Sequence, residues 1–470
     1  MFVGREKELK ALNDIYKKNK FECVIMYGRR RVGKTTIINE FVKNKENVYY
    51  AALSSNSYDN LRALSFEVKR YLKSIDKSVF QDYEFIFDTV YEIAKRKRLI
   101  LVIDEFPYLA ESEKKITSLL QHYIDKKFKN SKLFLILCGS SMSFMEDNVL
   151  SKKSPLFGRM TAQLKIEPLD YKKTSLFNKS LSYEDNSILY GATGGVPHYI
   201  NELNVKHSLK SGLLDNFFDS SSYLFNEPEN ILRQELRDLN NYNAIISQIA
   251  SGATKLSEIS DKSRIDMPQC SKYINILMRL NIVKKDTPII GLSKNKSFYK
   301  LSDSLFRFWH YFVKPNMTLI NTGKIKNVYN EVISSYISNY MGQIFEEMCK
   351  QYLLFYDKKI PITIQNIGEW WGNDEKNKRE IQIDIVATSP KMNNTKNIKL
   401  IVGSCKWTSD KVGISEFNVL KEYANVMIES SFKNDKVQVY YYLFSKNGFK
   451  NDLFDLKNKV RLVSLKDLYL

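Results

Sequence analysis

The chain has 470 residues, with 72 Lys and Arg against 53 Asp and Glu for a formal net charge of +19, and 43% of its residues are hydrophobic. At roughly 100–200 residues per domain this length predicts about three domains, and so much apolar content excludes a disordered polybasic tail, so the charge sits on folded surfaces that attract nucleic acid, nucleotide phosphates or an anionic membrane. No run reaches the ~18 apolar residues of a membrane span, the first residues carry no apolar signal core, and five scattered cysteines form no C-x-x-C pair; the expectation is a soluble, cytoplasmic protein with no membrane partner and no disulfide framework. Lys- and Asn-rich tracts leave open that part of the charge is compositional bias.

In chain order, Phe21–Tyr27, Leu99–Ile103 and Leu133–Leu137 are continuous apolar runs, the pattern of strands buried on both faces in a parallel sheet. With helical spacing from Thr36 to Val42, they predict an α/β core with helices on both sides of the sheet. Between the first strand and that helix lies Gly28-Arg29-Arg30-Arg31-Val32-Gly33-Lys34-Thr35, a match to G-x-x-x-x-G-K-S/T. In such a loop the backbone N–H groups turn toward a phosphate, Lys34 reaches the terminal phosphates, the Thr35 hydroxyl joins a Mg2+ shell and Thr36 lies near the α-phosphate.

The second apolar strand runs into Asp104-Glu105. Asp104 is expected to hold Mg2+ through water and Glu105 to polarise the attacking water. The third ends at Gly139-Ser140-Ser141, where Ser140 reads either as a γ-phosphate sensor or as part of an ordinary turn. Arg159, in Ser154-Pro-Leu-Phe-Gly-Arg159, is either a source of transition-state charge, within its own subunit or from a neighbour in a homo-oligomer, or a surface arginine. Gly194-Gly-Val-Pro197 makes a bend that begins a lid or simply turns the chain.

From about Asn240 the pattern changes to three helical segments (Tyr242–Ser251, Lys255–Ser260, Met267–Leu280) and two short strands (Ile282–Asp286, Ser297–Leu301), the order of a winged helix-turn-helix. Gln269, Lys272, Asn275 and Arg279 recur on one face of the third helix, and Lys296 lies in the hairpin; together they form a candidate DNA surface, with protein docking or a merely solvated face as the alternatives. The last segment, with strands at Ile381–Val386, Ile398–Val402 and Val437–Leu443 and helices at Tyr336–Leu354 and Gly413–Glu429, predicts a second α/β domain. Trp370-Trp371 reads as core or interface before it reads as a base-stacking pair.

Five motifs in order, Phe2-Val3-Gly4-Arg5-Glu6, the phosphate loop, Val102–Phe106, Ser154–Arg159 and Thr193–Tyr199, resemble the archaeal-type ATPases of the STAND branch of AAA+-like P-loop NTPases. The resemblance implies that Phe2, Val3, Gly4 and Arg5 flank adenine, that Arg159 lies near the γ-phosphate and that Pro197 is a lid contact. It favours ATP with Mg2+, and no N-K-x-D guanine-reading tetrad is present. The end of the chain resembles the PD-(D/E)XK nuclease-like module of the same family: Gly342–Glu346, Asp384 and Lys406 match its motifs, but Ser404 stands where its second acid is expected. By that resemblance Asp384 and Glu346 would bind Mg2+ and Lys406 would steady the nucleophile; with Ser404 in place of the acid, a degenerate module that binds DNA or a partner is favoured over an ATP-regulated nuclease. The expected organisation is an ATPase core with the lid start over 1–205, a helical linker over 206–240, a winged helix over 241–312 and a nuclease-like domain over 325–470. The function expected is an ATP-driven switch acting on DNA; the alternatives are the nuclease and a nucleotide-binding scaffold that recognises proteins.

Overall fold

The structure, a computed structural model, describes residues 2–203, 205, 208–236, 238–291, 297–323, 328–390, 397–432, 435–456 and 458–470. The chain divides into two units, one running to Leu169 and including Val196–His198, the other comprising Asp170–Gly195 and Tyr199–Leu470.

In the first unit, strands β1 (Glu22–Tyr27), β2 (Asn47–Ala51), β3 (Leu99–Asp104), β4 (Leu133–Gly139) and β5 (Ala162–Lys165) form one parallel sheet in the order β2-β3-β4-β1-β5. Helices α1 (Glu6–Tyr16), α2 (Lys34–Val42), α3 (Ser57–Tyr71), α4 (Tyr83–Arg96), α5 (Phe106–Ser112) and α6 (Ile116–Lys126) flank it. Side chains alternate across a strand, and here both faces are covered. Ile25, Leu101, Ile103, Leu135 and Leu137 enter a core with Leu64, Phe87 and Leu120 from α3, α4 and α6. Val24, Met26, Val102, Phe134 and Ile136 enter a second core with Leu12, Ile37 and Phe41 from α1 and α2. This is why the sequence shows unbroken apolar runs. The outer strands β2 and β5 are only partly buried, and their mixed composition hid them from sequence reading.

In the second unit, α7 (Tyr183–Thr193) precedes α8 (Leu239–Ala250), α9 (Leu256–Ser263) and α10 (Met267–Arg279), then the antiparallel hairpin β6 (Val283–Asp286) and β7 (Phe298–Leu301). The three helices and the hairpin share a core built on Ile246, Ile259, Ile274, Leu277 and Leu301. Then come α11 (Ser334–Phe355), β8 (Asn366–Asp374), β9 (Arg379–Thr388), β10 (Asn397–Lys406), α12 (Ile414–Ser431), β11 (Lys436–Ser445), β12 (Val460–Ser464) and α13 (Leu465–Tyr469). The sheet order is β12-β11-β10-β9-β8, antiparallel through β8, β9 and β10 and parallel from β10 to β12.

The boundary expected at residue 205 is not where the chain divides, because Asp170–Gly195 packs with the second unit. Gly191 of α7 lies against Met341 and Ile344 of α11 so closely that a Cβ there would stand 2.9 Å from the Met341 sulfur, and the Tyr340 hydroxyl donates to the Gly191 carbonyl at 2.7 Å. All five cysteines are unpaired. Among the described residues no helix is long and apolar enough to cross a membrane.

Candidate active site

The phosphate loop joins β1 to α2, and its glycines are fixed by geometry. A Cβ on Gly28 would lie 2.3 Å from the Ile166 carbonyl oxygen, and Gly33 caps α2 at φ +92, a left-handed conformation that glycine adopts without penalty. Lys34, the first residue of α2, is buried, and its ammonium donates to the carbonyl oxygens of Gly28 at 2.8 Å and Arg29 at 2.9 Å. One of its three N–H donors is left for a phosphate oxygen. Burial lowers its pKa, opposed by the nearby Glu105 and Asp104 carboxylates. Thr35 and Thr36 follow, both exposed.

Arg5 is buried and donates to the Val32 carbonyl at 2.7 Å while pairing with Glu8 at 2.9 Å. It therefore braces the loop from behind. Phe2 packs against the core under α1 and α2, Val3 is half-buried, and Gly4 is buried at φ +72. Pro197 approaches the loop, with its Cγ 3.9 Å from where a Gly33 Cβ would be. Arg30 reaches the Tyr108 hydroxyl at 3.4 Å, and Arg31 is held at φ +72.

Asp104 ends β3, and its carboxylate accepts from the Thr35 hydroxyl at 2.8 Å and the Tyr49 hydroxyl at 2.5 Å. Tyr49 comes from β2, a strand the sequence reading passed over. Burial, then the Asp104 charge, raises its pKa, so it remains a donor. Glu105 sits at φ +50, ψ 43, a left-handed conformation costly for a residue with a Cβ and concentrated at functional sites. Its carboxylate accepts from the Ser140 hydroxyl at 2.7 and 2.9 Å. Because β4 lies between β1 and β3, with Tyr27 opposite Gly139 and Ile103 opposite Leu137, Ser140 emerges between the phosphate loop and Asp104-Glu105.

Arg159 is a correction. The Thr161 N–H just beyond it donates to the Cys23 carbonyl at the start of β1, and the guanidinium binds Asp125, at the end of α6, at 2.7 and 2.9 Å. Cys23 to Gly28 spans five residues, roughly 17 Å at ~3.3 Å each. Arg159 thus belongs to the opposite rim of the sheet and does not reach the phosphate loop of its own subunit.

In the second unit, Asp384 of β9 accepts from the Cys405 N–H at 2.8 Å, and the Ser404 hydroxyl stands 3.4 Å from the same oxygen. A residue that sequence reading missed, Glu416 in the first turn of α12, accepts from Ser404 at 2.8 Å and pairs with Lys406 at 3.1 Å. Its only signal was an acid in the helix after the Lys406 strand. Glu346 of α11 is pushed up to about 8 by burial, then by the Asp384 and Glu369 carboxylates. Glu369 is gripped by Lys300 at 2.8 Å and Lys350 at 2.9 Å. Among the described residues no group of three or more His, Cys, Asp or Glu is arranged to hold a metal ion. Glu346 lies near enough to Asp384 for their carboxylates to repel one another, and Lys406 is engaged by Glu416.

On α10, Gln269, Lys272, Asn275 and Arg279 are all exposed, while Cys270, Ile274 and Leu277 face the core. Lys296 lies outside the described residues. Two other hairpin lysines are engaged internally, Lys284 with Asp286 and Glu347, and Lys300 with Glu369. Trp370 is buried, and Trp371 lies 5.0 Å from Phe298, ring centre to ring centre.

Residues 2–203 match a family described as an ATPase domain predominantly from Archaea, and residues 309–418 match archaeal and bacterial proteins of unknown function. An uncharacterized protein of Methanocaldococcus jannaschii is 31% identical over 475 residues, spanning 97% of this chain and 100% of that protein. The chain belongs to this archaeal ATPase family. A second relative, an uncharacterized ATP-binding protein of the same organism, is 24% identical over 44% of this chain and 71% of its own length. The Walker-type ATPase of Pyrococcus abyssi shares the fold, with a TM-score of 0.51 at 17% identity over 66% of this chain and 96% of that one.

Proposed function

We propose that the protein hydrolyses ATP and uses the nucleotide state as a switch. The observation that carries this reading is the contact of Thr35 with Asp104 beside a Glu105 held by Ser140. The residues fit a Mg-nucleotide: the glycine loop admits a phosphate where side chains would not fit, and a hydroxyl and a carboxylate already face one another. Thr35 and Asp104 would hold Mg2+, which when bound neutralises charge on the β- and γ-phosphates. Lys34 turns its free N–H toward the phosphate oxygens. Glu105 orients water toward the γ-phosphorus and takes its proton as the bond to ADP breaks. Ser140 acts as a positioning residue by fixing the Glu105 carboxylate.

The three helices and hairpin from α8 to β7 are read as a winged helix whose α10 face, with Gln269, Lys272, Asn275 and Arg279, contacts duplex DNA; the exposure of all four supports this. The C-terminal sheet is read as a nuclease-like module without cleavage activity, supported by Ser404 at the acid position and by Lys406 paired with Glu416. Filter retention of duplex DNA at several salt concentrations, with and without ATP, tests the switch. ATP should change retention, and Lys272→Glu with Arg279→Glu should weaken it and flatten its salt dependence; retention indifferent to both would remove the DNA role while leaving ATP turnover to be judged by itself.

A further inference from the structure

The C-terminal sheet carries a cleft that the ATPase reading does not use. β12 pairs with β11 from Tyr441 opposite Val460 onward, so the first half of β11 borders an opening of about 550 Å³ reaching to α12. Lys359, Lys421, Lys459 and Arg461 line it, and among the described residues no acidic one does. The three lysines are exposed and have no carboxylate partner among the described residues; Lys421 stands 4.9 Å over the Phe417 ring. Arg461 is anchored by Asp357 at 2.9 Å. Tyr440 and Tyr441 line the same cleft, both partly exposed, with Tyr441 edge-on to Phe417 at 5.4 Å.

Elsewhere on this protein surface lysines commonly face carboxylates, as at Lys95, Lys129 and Lys262. Three lysines without a carboxylate partner among the described residues, around one concavity where Arg461 is already paired with Asp357, create a local potential that favours an anion. Partly exposed aromatic rings among them suit unstacked bases, whose faces a duplex hides. The cleft lies apart from the Asp384–Lys406 site: Lys406 lies opposite Ser445, so the lining positions 438–442 are three to seven residues back along β11, roughly 10–23 Å at ~3.3 Å per residue.

We propose that this cleft binds single-stranded nucleic acid, with phosphates on Lys359, Lys421 and Lys459 and a base against the tyrosine rings. It is independent of the α10 reading, which concerns duplex DNA on another surface. The test uses the full chain and fluorescence anisotropy with labelled single-stranded DNA, single-stranded RNA and duplex DNA of one sequence at several salt concentrations. Lys421→Glu with Lys459→Glu should lower single-strand affinity by about tenfold or more and flatten the log–log salt slope by about 1.4, two phosphates at ~0.7 each. Tyr440→Leu should lower it by about fivefold or more with the slope unchanged. Duplex affinity should stay as it was in both, and binding of either the DNA or the RNA strand supports the site and identifies the sugar it accepts. The milder Lys421→Gln with Lys459→Gln, expected to give a smaller loss in the same direction, covers a folding failure of the charge reversals, which thermal melts detect. Single-strand affinity unmoved by the cleft variants, or lost equally with duplex affinity, overturns the proposal. So does loss of single-strand binding in Lys272→Glu with Arg279→Glu alone, or displacement of the strand by an acidic peptide but not by unlabelled oligonucleotide.

Discussion

Ser140→Ala isolates the contact that distinguishes a hydrolysing site from a merely nucleotide-binding one. In the wild-type site the Ser140 hydroxyl lies 2.7 and 2.9 Å from the two Glu105 carboxylate oxygens, and among the described residues no other side-chain hydrogen bond holds that carboxylate. A hydrogen bond to a charged group contributes about 1.5–3 kcal/mol, and at ~1.4 kcal/mol per factor of ten its loss should lower kcat by about 10- to 150-fold. Glu105→Gln removes the group that accepts the proton and should cost about 100- to 10,000-fold. If Ser140 acts through Glu105, adding Ser140→Ala to Glu105→Gln should cost no more than about threefold further, because the charge it positions is already gone. The assay is phosphate release at saturating Mg-ATP for the four proteins of the cycle, with nucleotide affinity measured separately. An equal penalty for Ser140→Ala in both backgrounds, or a matching fall in ATP affinity, would show that Ser140 contacts nucleotide directly and would refute its role as a positioning residue.

Two further predictions concern the charges buried in the second unit. Glu346 is raised from 4.5 to about 8, so the fold keeps a proton that the unfolded chain releases, and stability should fall as pH rises from about 4.5 to 8, by at most about 5 kcal/mol. Urea midpoints at pH 6 and 9 should differ in the wild type and converge in Glu346→Gln; a wild type equally stable at both would contradict the buried acid. Burial alone would raise Glu369, but Lys350 and Lys300 bring it down to about 2, so its contribution is complete above about 4.5 and is lost as pH falls toward 2. Lys300→Met should destabilise by about 3 kcal/mol, measured by urea unfolding near pH 7, and pairing it with Glu369→Gln should restore much of the loss; a double variant no better than the single would mean that Lys300 acts through packing.

The sequence by itself determined the parallel core and its phosphate loop, because both are local. Strands covered on two faces must be apolar at every position, and a loop that wraps phosphate needs glycines and a lysine at fixed spacing, so Val24–Met26, Leu99–Ile103, Leu133–Leu137 and Gly28–Thr35 are legible as written. It also gave the order of helices and hairpin from α8 to β7 and the exposed face of α10. What lay beyond it depends on pairing between distant segments. Tyr49 reaches Asp104 only because β2 lies beside β3 in register, and Glu416 reaches Ser404 and Lys406 only because α12 folds back on β10. Arg159 read either as a phosphate contact or as a surface arginine, and within its own subunit it is held by Asp125 at the other rim, since a motif fixes spacing along the chain and not which end of a sheet it meets. The same holds for the surplus positive charge. Composition gives its size, and the tertiary structure decides its distribution, engaging Lys284 and Lys300 in internal pairs while leaving Lys359, Lys421 and Lys459 around one open cleft, because ion pairing depends on distances of a few ångströms that only packing sets.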